Sequence, residues 1–262
     1  MSARLDLAMV ERGLVPTRSK AQALIMAGVV LIDDRPARKA GEPVGRNSVI
    51  ALVAPPRFVS RGGEKLDHAL DAFEIELAGK VCADIGASTG GFTDVMLQRG
   101  AATVFAIDVG YGQIALELRN DPRVIVMDRT NARYLESLPL PIDFTALDAS
   151  FISLSKLFPA VARISAPNAG AVALIKPQFE AGKGEVGKNG VVRDNAIHAR
   201  ILREVAARAE ENGLQLRALT ASPIKGPAGN IEFLGYFTNG STTGIQLNLD
   251  AAIDRAIARA PR

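Results

Sequence analysis

The sequence predicts an α/β protein: a seven-stranded, mostly parallel sheet with helices on both faces and its last strand antiparallel, behind a small N-terminal α+β domain. Three observations carry this. From residue 81 onward, strand-like apolar runs alternate with helical patterns, the mark of a parallel sheet wound with helices. The last two strand runs are joined by SPIKGPAGN, too short and too poor in helical pattern for a crossover, which favours an antiparallel pair. Excess positive charge is confined to the start. Residues 1–57 hold nine Lys and Arg against five Asp and Glu, whereas the remainder holds 22 against 23.

The N-terminal part opens with two helices. Leu5, Ala8 and Met9 share one apolar face. After Gly13 and Pro16, TRSKAQALIMAG reads as the second helix, with Ser19 and Gln22 spaced as a capping box and Gly28 as the stop. Strands follow at Val29–Ile32 and near Val49–Leu52, with DDRP as a turn. Ala54-Pro55-Pro56-Arg57 is a stiff connector. The predicted division is therefore a domain over 1–54, a linker over 55–60 and a second domain over 61–262. That second domain begins with an amphipathic helix, on which Leu66, Ala69, Leu70 and Phe73 recur at i, i+3, i+4 and i+7. Its strands are predicted at Val81–Ile85, Thr103–Ile107, Val124–Met127, Phe144–Leu147, Ala171–Ile175, Leu214–Ala221 and Ile231–Thr238. Asn195–Asn212 is its long helix and Asp250–Arg259 a tail helix.

Composition excludes several classes. With 262 residues, 48% of them hydrophobic, the chain can bury a substantial core. No apolar run approaches the roughly 18–20 residues of a membrane helix. MSARLDLAMVERG carries charges inside its apolar stretch, unlike a secretory signal, so a cytoplasmic protein is expected. Cys82, the lone cysteine, reads as a buried strand residue. With only two histidines besides, no metal site is expected. The basic start fits a polyanion-binding appendage, and equally ordinary surface charge.

The sharpest local motif is VCADIGASTGGFTDVML, a strand, a glycine loop and a helix. Its spacing, Asp84-x-Gly86-x-x-x-Gly90-Gly91, differs from the G-x-G-x-x-G of most dinucleotide binders. The loop Gly86, Ala87, Ser88, Thr89, Gly90 and Gly91 lets backbone approach a ligand, and the helix start offers free N–H groups. Asp84 would suit a cationic group, such as the amino group of a methionine moiety. Asp108 ends the next strand, where nucleotide-binding folds place an acid on ribose hydroxyls. Asp128, after the third strand, is placed to reach an adenine edge. Together these point to a nucleotide-type cofactor, the plain alternative being a tight turn with no ligand.

Asp148 ends the fourth strand and Lys176 the fifth. Ligands of doubly wound sheets lie outside the carboxyl ends of the strands, so both belong at one sheet edge. Glu232 opens the last strand, and an antiparallel course puts its start at that edge. Lys65, on the helix before the first strand, would complete the group. Singly each reads as a solvated loop residue; together they are two cations and two anions converging on the cofactor loop.

SRGGEKL, DIGASTGGFTD, LDASFISL, IKPQFE and NIEF, with the basic N-terminal module, resemble the TlyA family of hemolysin A-like ribosomal RNA 2′-O-methyltransferases over essentially the whole chain. The resemblance implies a Rossmann-like class I methyltransferase fold behind an S4-like RNA-binding domain. It implies S-adenosylmethionine as cofactor and ribosomal RNA, in the 30S and/or 50S subunit, as partner, with a cytidine 2′-hydroxyl as target. The Lys-Asp-Lys-Glu tetrad of the wider FtsJ-like group falls on Lys65, Asp148, Lys176 and Glu232. The S4-type surface would carry Arg4, Arg12, Arg18 and Lys20, and the loop EAGKGEVGKNGVVRD, with Lys183 and Lys188, would be mobile and close over RNA.

A ribose hydroxyl must lose its proton as the methyl group moves, and Lys176 is the best base available. A lysine of ordinary pKa, about 10.4, is protonated at neutral pH. A second ammonium and desolvation would lower that value, whereas Asp148 and Glu232 would raise it. Three other readings compete. A ribosome-assembly factor that has lost the chemistry is disfavoured by the intact tetrad. A nicotinamide-dependent oxidoreductase is disfavoured by the glycine spacing. A membrane-acting hemolysin is disfavoured by the charges along the long helix.

Overall fold

The computed structural model describes residues 2–26, 28–53, 56–182, 184–240 and 247–261, without the Lys188 side chain. It divides into two compact units, 1–57 and 58–262.

The first unit runs β1 (Ala3–Arg4), α1 (Leu5–Glu11), α2 (Arg18–Met26), β2 (Val30–Ile32), β3 (Arg35–Pro36), β4 (Pro43–Val44) and β5 (Ile50–Leu52). The apolar face of α1, Leu5, Ala8 and Met9, packs on Ala21 and Ile25 of α2 and on Val30 and Ile32 of β2. β2 is the middle strand of the sheet β3-β2-β5, and β1 pairs with β4. One expectation needs correcting. The cap of α2 is Thr17, whose Oγ1 accepts the Lys20 N–H at 3.2 Å. Thr17 offers the same capping oxygen two residues before Ser19, which lies inside the helix. Gln22 instead donates to Asp6 at 3.0 Å. The stop at Gly28 is as expected: with φ +71, its N–H donates to Ile25 O at 3.1 Å and the Val29 N–H to Leu24 O at 3.2 Å. Those paired bonds satisfy the last helix carbonyls.

The second unit runs α3 (Gly62–Ala72), β6 (Val81–Ile85), α4 (Gly91–Gln98), β7 (Thr103–Ile107), α5 (Leu116–Arg119), β8 (Val124–Met127), β9 (Ile142–Leu147), α6 (Phe158–Ile164), β10 (Ser165–Ile175), α7 (Pro177–Glu180), α8 (Asn195–Glu210), β11 (Leu214–Ala221), β12 (Phe233–Asn239) and α9 (Leu249–Ala258). Its seven strands lie in the order β11-β12-β10-β9-β6-β7-β8. β12 is antiparallel to both neighbours, and β10, β9, β6, β7 and β8 run parallel. The central strands are mostly apolar because both faces are buried, Asp84 and Thr145 being their buried polar exceptions. Ala83, Ile85, Phe105 and Ile107 face the core that holds α6 and α8. Cys82, Val104, Phe144 and Ala146 face the core that holds α3 and α4. The expected stripe on α3 is buried at Leu66, Ala69 and Leu70, and Phe73 stacks on Tyr236 at 6.0 Å. Three strand starts in this unit differ from expectation. β9 begins at Ile142, two residues before the expected Phe144. β10 begins at Ser165, its pairing with β9 shifting register between Ser165 and Gly170, and β12 begins at Phe233, so Glu232 directly precedes it. No helix of the described residues is long and apolar enough to cross a membrane.

Candidate active site

The chain leaves β6 for β7 on one side and returns to β9 on the other, so the sheet's topological switch lies between β6 and β9. That is where open α/β sheets bind ligands. The glycine loop follows β6, and Asp148 follows β9. The two strand ends are pressed together. A Cβ on Gly86 would stand 2.6 Å from the carbonyl oxygen of Asp148, and its φ of +87 is itself a glycine conformation. Gly90 caps α4 with φ +95, where a side chain would meet Leu118.

Two adjoining cavities open at this edge. The smaller, about 460 Å³, is lined by Asp108, Gln113, Thr130 and Asn131 among others. The larger, about 780 Å³, is lined by all four tetrad residues and by Ala87, Thr89 and Gly91 of the loop. Gly86, Ser88, Asp148, Ser150 and Phe151 belong to both walls.

In the larger cavity the tetrad forms two ion pairs. Lys65 Nζ, on α3, lies 2.5 Å from Glu232 Oε2, with only 9% and 1% of the side chains exposed. Lys176 Nζ, at the start of α7, lies 2.6 Å from Asp148 Oδ1. Lys176 also donates to Ser150 Oγ at 2.8 Å, and its Nζ stands 5.9 Å from the centre of the Phe179 ring.

The acids expected around the cofactor part company. Asp108 lines the smaller cavity and accepts the N–H groups of Ser88 (2.8 Å) and Gly110 (2.7 Å). Asp84 lines neither cavity. It lies fully buried behind the loop, where Oδ2 accepts the Thr93 N–H at 2.8 Å and hydroxyl at 2.6 Å, securing the first turn of α4. Its Oδ1 is buried without a partner. Burial pushes this carboxyl up to about 7; the Thr93 bonds oppose the shift, while Asp148 and Asp108 add to it. Asp128 also lies outside both walls. It accepts from Arg119 at 3.0 Å and from the Gly112 N–H at 3.3 Å, and the Arg119 bond holds its carboxyl below the usual range.

The basic residues of the first unit likewise differ among themselves. Arg4 and Arg18 pair with buried Asp6 at 3.0 and 2.8 Å and stay half exposed. These bonds, Arg4 foremost, hold the Asp6 carboxyl far below the usual range. Lys20 is exposed. Arg12 turns onto its own unit, donating to the carbonyls of Ser48, Gly45 and Arg46 at 2.5, 2.9 and 3.3 Å. Lys183 and the side chain of Lys188 lie outside the described residues.

Sequence reasoning missed three residues. Phe151 is 91% exposed at the junction of the cavities, with φ +64 and its ring 5.1 Å from Phe179. An aromatic residue inside an apolar run carries no sign of such exposure. Asn230 is buried and bonds the end of the loop after α7 through both atoms of its side-chain amide, accepting the Val192 N–H at 3.0 Å and donating to Gly190 O at 2.8 Å. This part of the expected mobile loop is therefore fastened beside the larger cavity. Ser150 is the third, through its bond to Lys176.

Residues 58–238 match the FtsJ-like methyltransferase family, and residues 3–50 match the S4 domain. The chain is 46% identical to the 16S/23S rRNA (cytidine-2′-O)-methyltransferase TlyA of Mycobacterium tuberculosis, over 99% of this chain and 98% of that one. It is 39% identical to Hemolysin A of Brachyspira hyodysenteriae, over 89% of this chain and 99% of that one. A solved structure from Streptococcus thermophilus, named as a hemolysin, superposes with a TM-score of 0.75 at 39% identity, covering 98% of this chain and 96% of the other.

Proposed function

Since the chain belongs to the FtsJ-like methyltransferase family and carries an S4 domain, we propose that it methylates a ribose 2′-hydroxyl of cytidine in both 16S and 23S ribosomal RNA, with S-adenosylmethionine as methyl donor. The observation that carries this reading is the pair of ion pairs, Lys65–Glu232 and Lys176–Asp148, in the wall of one cavity. The near-full-length identity to a relative named for those two RNAs supports the choice of target.

The smaller cavity suits the cofactor. Its volume is that of a nucleoside-sized ligand site, Asp108 offers a carboxylate to ribose hydroxyls, and Gly86 in its wall is packed so tightly on the Asp148 backbone that a Cβ there would displace that wall. The unpartnered Oδ1 of Asp84 lies directly behind the loop. When bound, S-adenosylmethionine supplies an electrophilic methyl group that needs no further activation. The chain's own residues do the rest. Lys176 takes the proton of the 2′-hydroxyl as the oxygen–carbon bond forms and the sulfur–carbon bond breaks. Asp148 holds the Lys176 amine and stabilises the ammonium it becomes. Glu232 holds Lys65 in the lining of the same cavity, where its charge can stabilise the oxygen as it loses its proton. The wall shared by the two cavities supports a meeting of acceptor and donor there, and in-line positioning is the larger part of such catalysis.

Phe151 and Phe179 offer aromatic faces on which an unstacked base can lie. Residues 1–54 serve as the RNA-binding module, 55–60 as linker and 61–262 as catalytic domain, with Arg4, Arg18 and Lys20 meeting phosphates. The test is transfer of a tritiated methyl group to separated, unmethylated 30S and 50S subunits, the position read from resistance to alkaline cleavage. Label on both subunits at alkali-resistant cytidines supports the reading. Label on a base, or on neither RNA, overturns it.

A further inference from the structure

The geometry points to Ser150 as a positioning residue that aims the Lys176 amine at the substrate oxygen. The inference rests on the reading of Lys176 as the base and asks what fixes the direction of that base. A neutral amine at the end of a flexible four-carbon stem has two N–H bonds and one lone pair, and rotation about its last bonds can point any of the three at a substrate. Only the lone pair can accept a proton.

Two acceptors remove that freedom. Asp148 Oδ1 lies 2.6 Å from Lys176 Nζ as an ion pair without hydrogen-bond alignment, whereas Ser150 Oγ accepts a directed hydrogen bond from it at 2.8 Å. Both stand on the segment that leaves β9, so one strand end presents them together. The Ser150 bond takes one N–H and the Asp148 charge draws the other, so the lone pair takes the remaining direction. Lys176 lines the larger cavity and not the smaller, so the lone pair opens onto the side where RNA enters. The stem is only 10% exposed, which leaves the amine little room to settle elsewhere. After the proton arrives, the ammonium keeps both acceptors, and the transfer requires no rearrangement. Asp148 alone would hold the amine by charge without fixing either N–H, leaving both to compete with the lone pair for the substrate.

The test compares Ser150→Ala, Ser150→Thr and Lys176→Ala in methyl transfer to unmethylated ribosomal subunits, with S-adenosylmethionine affinity and melting temperature read in parallel. Ser150→Ala is expected to lower kcat by about 10-fold or more, the scale of one lost hydrogen bond to a charged group. KM for the subunits, cofactor affinity and melting temperature stay within about 2-fold or 2 °C of the parent, as expected when only a transition-state alignment is lost. Ser150→Thr, which keeps the hydroxyl, recovers most of the rate. Ser150→Ala at parental kcat beside an inactive Lys176→Ala overturns the role of Ser150 and leaves the base in place. A loss that follows cofactor affinity or stability, or a Thr variant no better than Ala, also overturns it. An active Lys176→Ala removes the base itself, and this inference with it.

Discussion

Glu232→Ala separates what the Lys65–Glu232 pair does for stability from what it does for chemistry. The variant leaves the Lys65 ammonium, 9% exposed, without its partner at 2.5 Å. Breaking a buried pair by removing one member costs about 3–5 kcal/mol, because the remaining charge stays desolvated. For a unit of this size, 1 kcal/mol corresponds to about 2–4 °C in melting temperature, so the transition of the catalytic unit should fall by roughly 6–20 °C. A double variant, Lys65→Met with Glu232→Met, removes both charges and fills the space with apolar atoms. Buried pairs replaced in this way commonly lose nothing or gain about 1–4 kcal/mol, so the double variant should melt at or above the parent. Neither variant should transfer methyl groups. The assays are thermal or urea unfolding monitored by circular dichroism, and methyl transfer on the same preparations. A single variant within about 1 kcal/mol of the parent would refute the account of the buried pair. An active double variant would refute its role in the chemistry.

Three further outcomes follow from particular residues. Gly86→Ala places a Cβ against the Asp148 carbonyl at a φ of +87; that clash and an αL strain of about 1–2 kcal/mol force the loop to shift away from the ligand, and calorimetry should show cofactor affinity lowered by about 10-fold or more. Asp84, its carboxyl raised by burial to about 7, binds its proton more tightly folded than unfolded. Its contribution to stability is complete below about pH 4 and is lost as pH rises through 7, a few kcal/mol at most; the difference between the pH–stability curves of the parent and Asp84→Asn should show that slope, and parallel curves would count against it. Lys20→Glu should weaken binding to ribosomal subunits and flatten its salt dependence, by about 0.9 in the log–log slope for each phosphate no longer neutralised. Its cofactor affinity should be unchanged.

The parts legible in the sequence are those written in periodic patterns. The buried strands show as apolar runs because both faces of the sheet are covered, and α3 shows as a stripe. The convergence of Asp148, Lys176 and Glu232 followed from strand ends and one antiparallel strand, and the structure brings all four tetrad residues into one wall. What escaped were choices between equivalent partners. Thr17 and Ser19 carry the same capping oxygen, and only the path of the chain selects one. The first half of β10 contains Pro167, Asn168 and Gly170, which read as a turn; pairing with β9 at Ser165 and again from Gly170 carries the strand across that irregularity. Asp128 ends a strand as an adenine-binding acid would, and its pairing with Arg119, nine residues earlier, has no mark in the sequence. Arg12 sits among the other cations of a basic module, but three carbonyls of a turn lie within its reach. Phe151 and Ser150 acquire their surroundings only when the ends of β9 and β10 come together.

The central claim is that this site methylates a ribose hydroxyl of ribosomal RNA with Lys176 as its base. Single-turnover methyl transfer by Lys176→Ala to unmethylated subunits, with S-adenosylmethionine binding measured on the same protein, tests it most directly. The expected result is a rate lowered by at least about 10²–10⁴-fold, cofactor binding within about 2-fold of the parent, and no new alkali-resistant position in the RNA. Near-parental transfer to an alkali-resistant cytidine by this variant would contradict it.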